Sequence, residues 1–215
     1  MSSSLIVDGP RPNEGSDTAL AQADAFAQSI LLRVAPLVFG VAECQADLRA
    51  VFRLRYEVVM TQGWAAPEQF PDRLERDEYD LRAIQVVGRE GDELVGTTRL
   101  VPPAPGLPTP TEAAFGLQLS RHGAVVDMGR TCRAPGRTDL GPRVFWGLLS
   151  RAWLELRKRG FSEICGAFSP GISRLYERLG FEVELLGPPR MHWGESRHPV
   201  LVRPARCIDR LRFRS

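Results

Sequence analysis

No apolar run in this chain approaches the roughly 18 residues needed to cross a bilayer. No basic stretch followed by an apolar one opens it either, since the first residues are Met1-Ser2-Ser3-Ser4. A spanning helix and a secretory leader are therefore not expected, and the chain reads as cytoplasmic. Cysteine is scarce. Cys44, Cys132, Cys165 and Cys207 show no C-x-x-C spacing and have no histidine cluster beside them. That argues against zinc and, without a leader, against disulfides. Cys44 and Cys165 are flanked by apolar or small residues and read as packed thiols. Excess charge is also missing: the formal net charge is +2, too little to mark a nucleic-acid binder. The one basic cluster is terminal, where Arg203, Arg206, Arg210, Arg212 and Arg214 face a single Asp209. Residues 204–215 read as a solvated, partly frayed tail that could touch an acidic carrier protein or anionic lipid.

What is present is a chain of 215 residues, one domain plus an extension, long enough to bury a core. Residues 1–17 are rich in Ser, Gly, Pro, Asn and Asp and read as disordered. Thr18–Arg33 carries Leu20, Ala23, Phe26, Ala27, Ile30 and Leu31 at helical spacing, a helix to cover the core or to join two copies, so monomer and homodimer both stay open. The domain proper spans 34–203. A strand is expected at Val34–Val41, a helix at Ala46–Met60, and a surface loop from Gly63 to Leu74. A hairpin follows at Ala83–Gly88 and Glu93–Val101. Pro102 to Pro110 holds too many prolines for regular structure. A strand at Ala124–Thr131 leads to the clearest helix, Gly141–Arg159, with Val144, Phe145, Leu148, Leu149, Ala152, Trp153 and Leu156 along one stripe. Glu163–Phe168 is a short buried strand, Ser173–Leu179 a helix stopped by Gly180, and Phe181–Leu186 and Pro199–Val202 are strands.

Charge sits in an ordered series. Glu75-Arg76-Asp77-Glu78-Tyr79-Asp80 places four carboxylates around one aromatic. Arg55 and Trp64 precede it, and Gly96-Thr97-Thr98-Arg99-Leu100-Val101-Pro102 and Asp127-Met128-Gly129-Arg130 follow. A guanidinium fork matches a carboxylate at two points, so acids and arginines on separate segments point to an assembled pocket. An ion network that pins the loop 63–80 to a sheet would use the same residues, and a solvated surface remains the bland alternative. His122, His192 and His198 fall in unrelated loops, and no Ser-His or Cys-His arrangement is evident.

That series resembles the acyl-homoserine-lactone synthases and their relatives, the N-acyl amino acid synthases. It runs Arg55-Tyr56-Glu57-Val58-Val59 with Gly63-Trp64, then Glu-x-Asp-x-Tyr-Asp, then Gly-x-x-Arg-Leu-x-Pro, then Asp-x-Gly-Arg. Val59 stands where the family has an aromatic, the interval from Arg55 to the tryptophan is one residue shorter, and the family's Glu-x-Ser-Arg is Asp127-Met128-Gly129-Arg130 here. The order of elements, and Leu175-Tyr176 followed by Gly180-Phe181, resemble the GNAT acyltransferases. The implied fold class is α/β (α+β), a mixed, splayed sheet flanked by helices, with a helical N-terminal extension. The loop that wraps the diphosphate of coenzyme A in that fold would be Arg137-Thr138-Asp139-Leu140-Gly141-Pro142-Arg143. It is one residue out of register, and Pro142 removes a donor.

The resemblance implies an enzyme that moves an acyl group from an acyl-carrier-protein or acyl-CoA thioester to a primary amine, with no permanent cofactor, no metal and no nucleic acid. It implies an amine pocket built from Arg55, Trp64, Glu75, Asp77, Asp80 and Arg99, with Asp127 and Arg130 as catalytic residues. In the implied fold Asp127 is best placed to take a proton. Trp64 would close over the substrate, and Asp77 and Asp80 would hold an ammonium group or buttress Arg99 and Arg130. The thioester cleft would open beside Gly129 and Thr131 and run among Phe145, Leu149, Trp153 and Tyr176. The acidic run favours S-adenosylmethionine as the amine and a homoserine lactone as the product. An N-acyl amino acid is the alternative, and a catalytically silent binding module is a third reading.

Overall fold

The computed structural model describes residues 14–119, 125–211 and 213. Its elements are α1 (Glu14–Arg33), β1 (Val38–Val41), α2 (Gln45–Gln62), β2 (Ile84–Glu90), β3 (Glu93–Val101), α3 (Pro110–Phe115) and β4 (Val125–Arg133). They continue with α4 (Arg143–Arg157), β5 (Glu163–Phe168), α5 (Pro170–Arg178), β6 (Val183–Leu185), β7 (Arg190–His192) and β8 (Glu195–Val202). The strands form one sheet in the order β1-β2-β3-β4-β5-β8-β6, with β7 added to β8. Every pairing is antiparallel except β4 with β5. That pair needs a crossover, which α4 supplies. The mixed α/β architecture expected from the sequence is the one observed.

Helix α1 begins at Glu14, so residues 14–17 are helical where disorder was expected. Residues 1–13 lie outside the described residues, as does Ala124, where the central strand was expected to begin. Val34 continues the end of α1, its N–H reaching the Ile30 carbonyl, which delays β1 to Val38. Helix α3 was missed because it is a single short turn with no period to read. Thr109 caps it, Pro110 starts it, and the Glu112 side chain bonds back to the cap, a reciprocal arrangement that suits an entry immediately after a proline-rich loop.

Two faces of the sheet are packed differently. Gly96 on β3 has no side chain because Val144 and Leu148 of α4 occupy that space; a Cβ there would lie 2.5 Å from Val144. Ile30 of α1, Met128, Trp146, Leu148, Leu156, Tyr176 and Phe181 share one apolar cluster with them. At about 25 cal/mol per Å² of buried apolar surface, this face supplies the main driving force for folding. Arg99, odd-numbered from Gly96, points to the opposite face, where α2, α3 and the segment 63–82 lie.

Strand β4 changes parity halfway. Thr97 pairs with Cys132 but Arg99 pairs with Gly129, so one extra residue of β4 stands opposite Thr98. Arg130 takes it up with φ 54°, a left-handed conformation that costs a non-glycine residue about 1 kcal/mol or more. As a result Arg130 lies on the same face as Asp127. Thr131 crosses to the α4 face, where its hydroxyl meets Thr98 Oγ1 at 2.6 Å. No helix among the described residues is long and apolar enough to cross a membrane. The C-terminal segment is folded: Pro204–Arg210 forms a 3-10 helix with Cys207 buried. Arg203 pairs with Glu163 and Glu184, and Arg210 with Glu182. The fraying expected there is thus corrected over 204–211, while Arg206, Asp209 and Arg210 stay exposed. Residues 212, 214 and 215 lie outside the described residues.

Candidate active site

The acidic run folds as a cap. Asp77 precedes a 3-10 helix, Glu78–Leu81, and accepts the Tyr79 N–H at 3.0 Å. The Asp80 carboxylate accepts the Asp77 N–H at 2.9 Å. Spacing of three residues makes this exchange geometrically natural, and it turns both carboxylates towards the sheet. Glu75 is held just upstream by its own N–H bonding to Phe52 O at 3.0 Å.

Three guanidiniums meet these three acids. Arg55, on the buried stripe of α2 with Val51, Leu54 and Val59, grips Asp80 with two bonds of 2.8 and 3.0 Å and donates from Nε to Glu75. Arg99 reaches Asp77 at 2.6 Å and Asp80 at 3.2 Å. Arg130 reaches Glu75 at 3.0 Å and Asp77 at 3.2 Å. Gln85 of β2 adds a fourth donor to Asp80 at 2.8 Å. Each acid therefore serves two arginines, and the cluster is neutral. For Asp80, Glu75 and Arg55 the partners outweigh burial, whereas at Arg130 burial prevails and lowers the guanidinium's pKa. The hydrogen bonds and charge of Arg55 hold Asp80 down at about 2. The charges of Arg130 and Arg55 lower Glu75, and the Asp80 bonds and Glu75 charge raise Arg55.

Exposure divides the cluster. The side chains of Arg55, Glu75, Asp80 and Arg99 are at most 5% exposed, whereas Asp77 and Arg130 keep 23% and 19%. Asp77 and Arg130 are thus the edge that faces out. Asp127 stands behind, buried, with Oδ2 accepting the N–H of Thr111 at 2.6 Å. Burial raises its pKa, and its Oδ1 faces the position of Gly129. Cys132 lies beside Arg55 and Glu75, and burial pushes its thiol up to about 12, so it offers no thiolate at neutral pH.

The outer edge is roofed by Trp64 together with Trp193 and Arg197, two residues that the sequence did not single out. Trp193, in the turn between β7 and β8, has its ring 4.3 Å from the Arg130 guanidinium carbon, a stacking distance. Trp64 packs beside Gly194 and carries Arg197 5.2 Å over its ring. Arg197 in turn donates to His192 O at 3.1 Å. Burial, then the charges of Arg130 and Arg197, lower the pKa of His192 and keep its imidazole neutral. The expectation that the histidines sit in unrelated loops is corrected for two of them: His192 is in β7 beside this edge, and His198 is in β8. His122 lies outside the described residues. Cys44 is corrected too, being exposed, with its sulfur capping α2 by accepting the Asp47 N–H. The Trp-Gly turn between two charged segments was the available signal for the roof, but β7 and the first half of β8 were too polar to read as strands.

On the opposite face lies an apolar cavity of about 50 Å³. Leu149, Trp153 and Tyr176 line it, as does Met128 of β4. Phe145 is not in its wall; it stands edge-on to Tyr176 at 5.7 Å. Thr131, bonded to Thr98, is not in the wall either, and Gly129 pairs with Arg99 at the bulge. The parallel pairing of β4 and β5 ends at Asp127 with Cys165, so the strands part beside both the cavity and Gly129. In front of α4, Thr138–Leu140 forms a 3-10 turn. Arg137 in that loop is fully engaged by Glu90, Glu93 and Asp139.

A family model described as N-acyl amino acid synthase FeeM matches residues 50–203, which include every residue of the ionic cluster. Among solved structures, the chain is similar to FeeM, an N-acyl amino acid synthase from uncultured soil microbes. That match has 14% identity and TM-score 0.64 and covers 81% of this chain and 95% of the other. It is similar to the acyl-homoserine-lactone synthase LasI at 16% identity and TM-score 0.61, covering 83% and 98%. It is also similar to BjaI, a CoA-dependent acyl-homoserine lactone synthase solved with MTA, at 21% identity and TM-score 0.60, covering 77% and 80%. These likenesses concern the fold. No curated protein sequence matches the chain significantly. The family match spans most of the chain and the whole of the ionic site, and on that basis the chain belongs to the N-acyl amino acid synthase FeeM family and is an acyltransferase with a GNAT-like fold.

Proposed function

We propose that the protein transfers an acyl group from a pantetheine thioester to the α-amine of an amino acid. The observation that carries this reading is the make-up of the outer edge: Arg130 and Arg197, under Trp193 and Trp64, beside a neutral His192. Guanidinium tips suit a substrate carboxylate, while Asp77, the one partly exposed acid of the cluster, suits the ammonium group. An amino acid carries one group of each kind. S-adenosylmethionine carries the same two groups and adds a permanent sulfonium, for which this edge, with two guanidiniums and one partly exposed acid, offers no second acid. The family match favours the same product, whereas the acidic run alone had favoured the lactone.

In this reading the thioester lies where β4 and β5 part. A backbone N–H beside the bulge at Gly129 and Arg130 polarises its carbonyl. The ammonium gives its first proton to water. The neutral amine attacks the carbonyl carbon, the C–N bond forms, the C–S bond breaks, and the thiolate leaves with the proton that Asp127 has taken from the attacking nitrogen. Asp127, with its raised pKa and its Oδ1 towards Gly129, accepts the amine's proton, directly or through a water. Leu149, Trp153 and Tyr176 receive the acyl chain. Arg137 is committed to three carboxylates and Pro142 lacks a donor, so the loop before α4 is poorly suited to a diphosphate. A donor held by its pantetheine arm on an acidic carrier protein fits better than free acyl-CoA.

The test is release of free thiol from acyl-carrier and acyl-CoA thioesters in the presence of an amino-acid panel or S-adenosylmethionine, with products identified by mass spectrometry. An acyl amino acid is the expected product. An acyl lactone would replace the acceptor and keep the chemistry, and consumption of no thioester with any amine would remove the reading.

A further inference from the structure

Helix α1 lies outside residues 50–203, where the family match runs, yet it closes the apolar cavity. The floor is Met128 and Ile164, on the strands that part there, and α4 forms the side. The far wall is α1 itself, through Ala23, Phe26 and Ala27. Ala23 and Ala27 are 4% and 3% exposed and stand four apart, so their Cβ atoms lie on one helix face. Each presents a single methyl group. The depth of the cavity at that wall is therefore set by how little these two side chains fill.

A polar clasp fixes which face α1 turns inward. The Trp153 indole N–H donates to Asp24 Oδ1 at 2.7 Å, and Arg157 Nε pairs with the same oxygen at 3.2 Å. Trp153 is both part of the cavity lining and the clasp's donor. Asp24 sits between Ala23 and Ala27 in the chain, so a rotation of α1 that withdrew the alanines would break both bonds. Ser150 and Tyr176 carry the hydroxyls of the lining, which is otherwise apolar apart from the Trp153 N–H that the clasp engages and suits hydrocarbon.

Resting on the acyl-transfer reading, we infer that α1, held by the Asp24–Trp153–Arg157 clasp, is the gauge of acyl-chain length, with Ala23 and Ala27 as its stops. Donors whose chain fits short of α1 are used; longer ones meet that wall.

The experiment compares full-length Ala27→Phe and the milder Ala27→Leu with Ala25→Phe. Ala25 is an exposed position of the same helix and receives the same helix-propensity change. Each variant is supplied with short-, medium- and long-chain acyl-pantetheine thioesters. In Ala27→Phe the ratio of kcat/KM for short over long donors should rise roughly tenfold or more, as expected when hydrocarbon must be excluded from a pocket. Ala27→Leu should lie between, and Ala25→Phe should keep the wild-type ratio. Asp24→Ala should flatten the preference. Binding of the same thioesters, followed by Trp153 fluorescence, reads chain-length preference without turnover. A wild type that binds but does not transfer would overturn the reaction and still test the gauge. Unchanged preference in both Ala27 variants, by rate and by binding, would overturn the gauge and leave acyl transfer standing. A wild type that neither binds nor transfers would overturn both.

Discussion

The two faces of the central sheet achieve order by opposite means. On the α2 face, three arginines and three carboxylates hold one another through directed bonds, each acid shared between two guanidiniums. On the α4 face, apolar side chains fill space, and a gap remains among them. A directed network specifies position closely but gains little net stability, because desolvating six charges offsets most of their attraction. An apolar face contributes the stability and accepts similar volumes at modest cost. Stability alone would favour hydrocarbon on both faces, so the charges are best explained by the substrate-binding role proposed above for the outer edge of the network.

This contrast can be broken most severely at Arg55. Arg55→Met leaves Glu75 and Asp80 buried with too few partners, and should cost about 3–5 kcal/mol in urea unfolding. A loss under about 1 kcal/mol would mean that the network is soft. On the other face, Leu148→Ala should cost about 2–5 kcal/mol while leaving the KM for the amine unchanged. A tenfold rise in that KM would show that the faces are not independent.

Acid sharpens the comparison. Asp80 falls from an ordinary 3.8 to about 2 on folding, so its contribution, roughly 2 kcal/mol, is present in full above 3.8 and is lost as pH drops towards 2. Urea midpoints measured across that range should decline, and Asp80→Asn should remove much of the slope. Next comes Asp77→Asn, on the outer edge, where asparagine can still cap the 3-10 helix. Its kcat/KM should drop roughly 30-fold with little change in melting temperature; loss of both in step would make Asp77 purely structural. The smallest effect is expected from Trp193→Ala. Loss of the stack on Arg130 should lower kcat/KM by about fivefold, read as a rise in the KM for the amine with the melting point held.

Legibility in the sequence followed the same division. Helix α4 and the β2–β3 hairpin were readable because their apolar residues repeat at 3.6 and 2, and the observed bounds differ from the expected ones by a few residues. The membership of the ionic cluster was readable because its acids and arginines form an ordered series. Its wiring was not. Asp80 was expected to serve Arg99 and Arg130, but its strongest grip is on Arg55, since the turn Glu78–Leu81 sets which carboxylate faces which guanidinium. Trp64 was named from the sequence, but the other half of the roof, Trp193 and Arg197, was missed because β7 and the start of β8 owe their pairing to backbone bonds across a turn, with no alternation to announce them. The cavity was half visible: Leu149 and Trp153 lie on a legible stripe, but the alanines of α1 carry no mark that separates a stop from filler.

The bulge in β4 has a consequence for how this site could be gained or lost. Strand parity is a count, so the placement of Arg130 depends on the number of residues before it as well as on its identity. Deleting Thr131 would restore regular alternation and aim the Arg130 guanidinium into hydrocarbon, with every residue of the ionic cluster still present. A strand of this kind behaves like a reading frame. Single-residue insertions and deletions here would move Arg130 outright from one face of the sheet to the other, and point substitutions would be the gentler events.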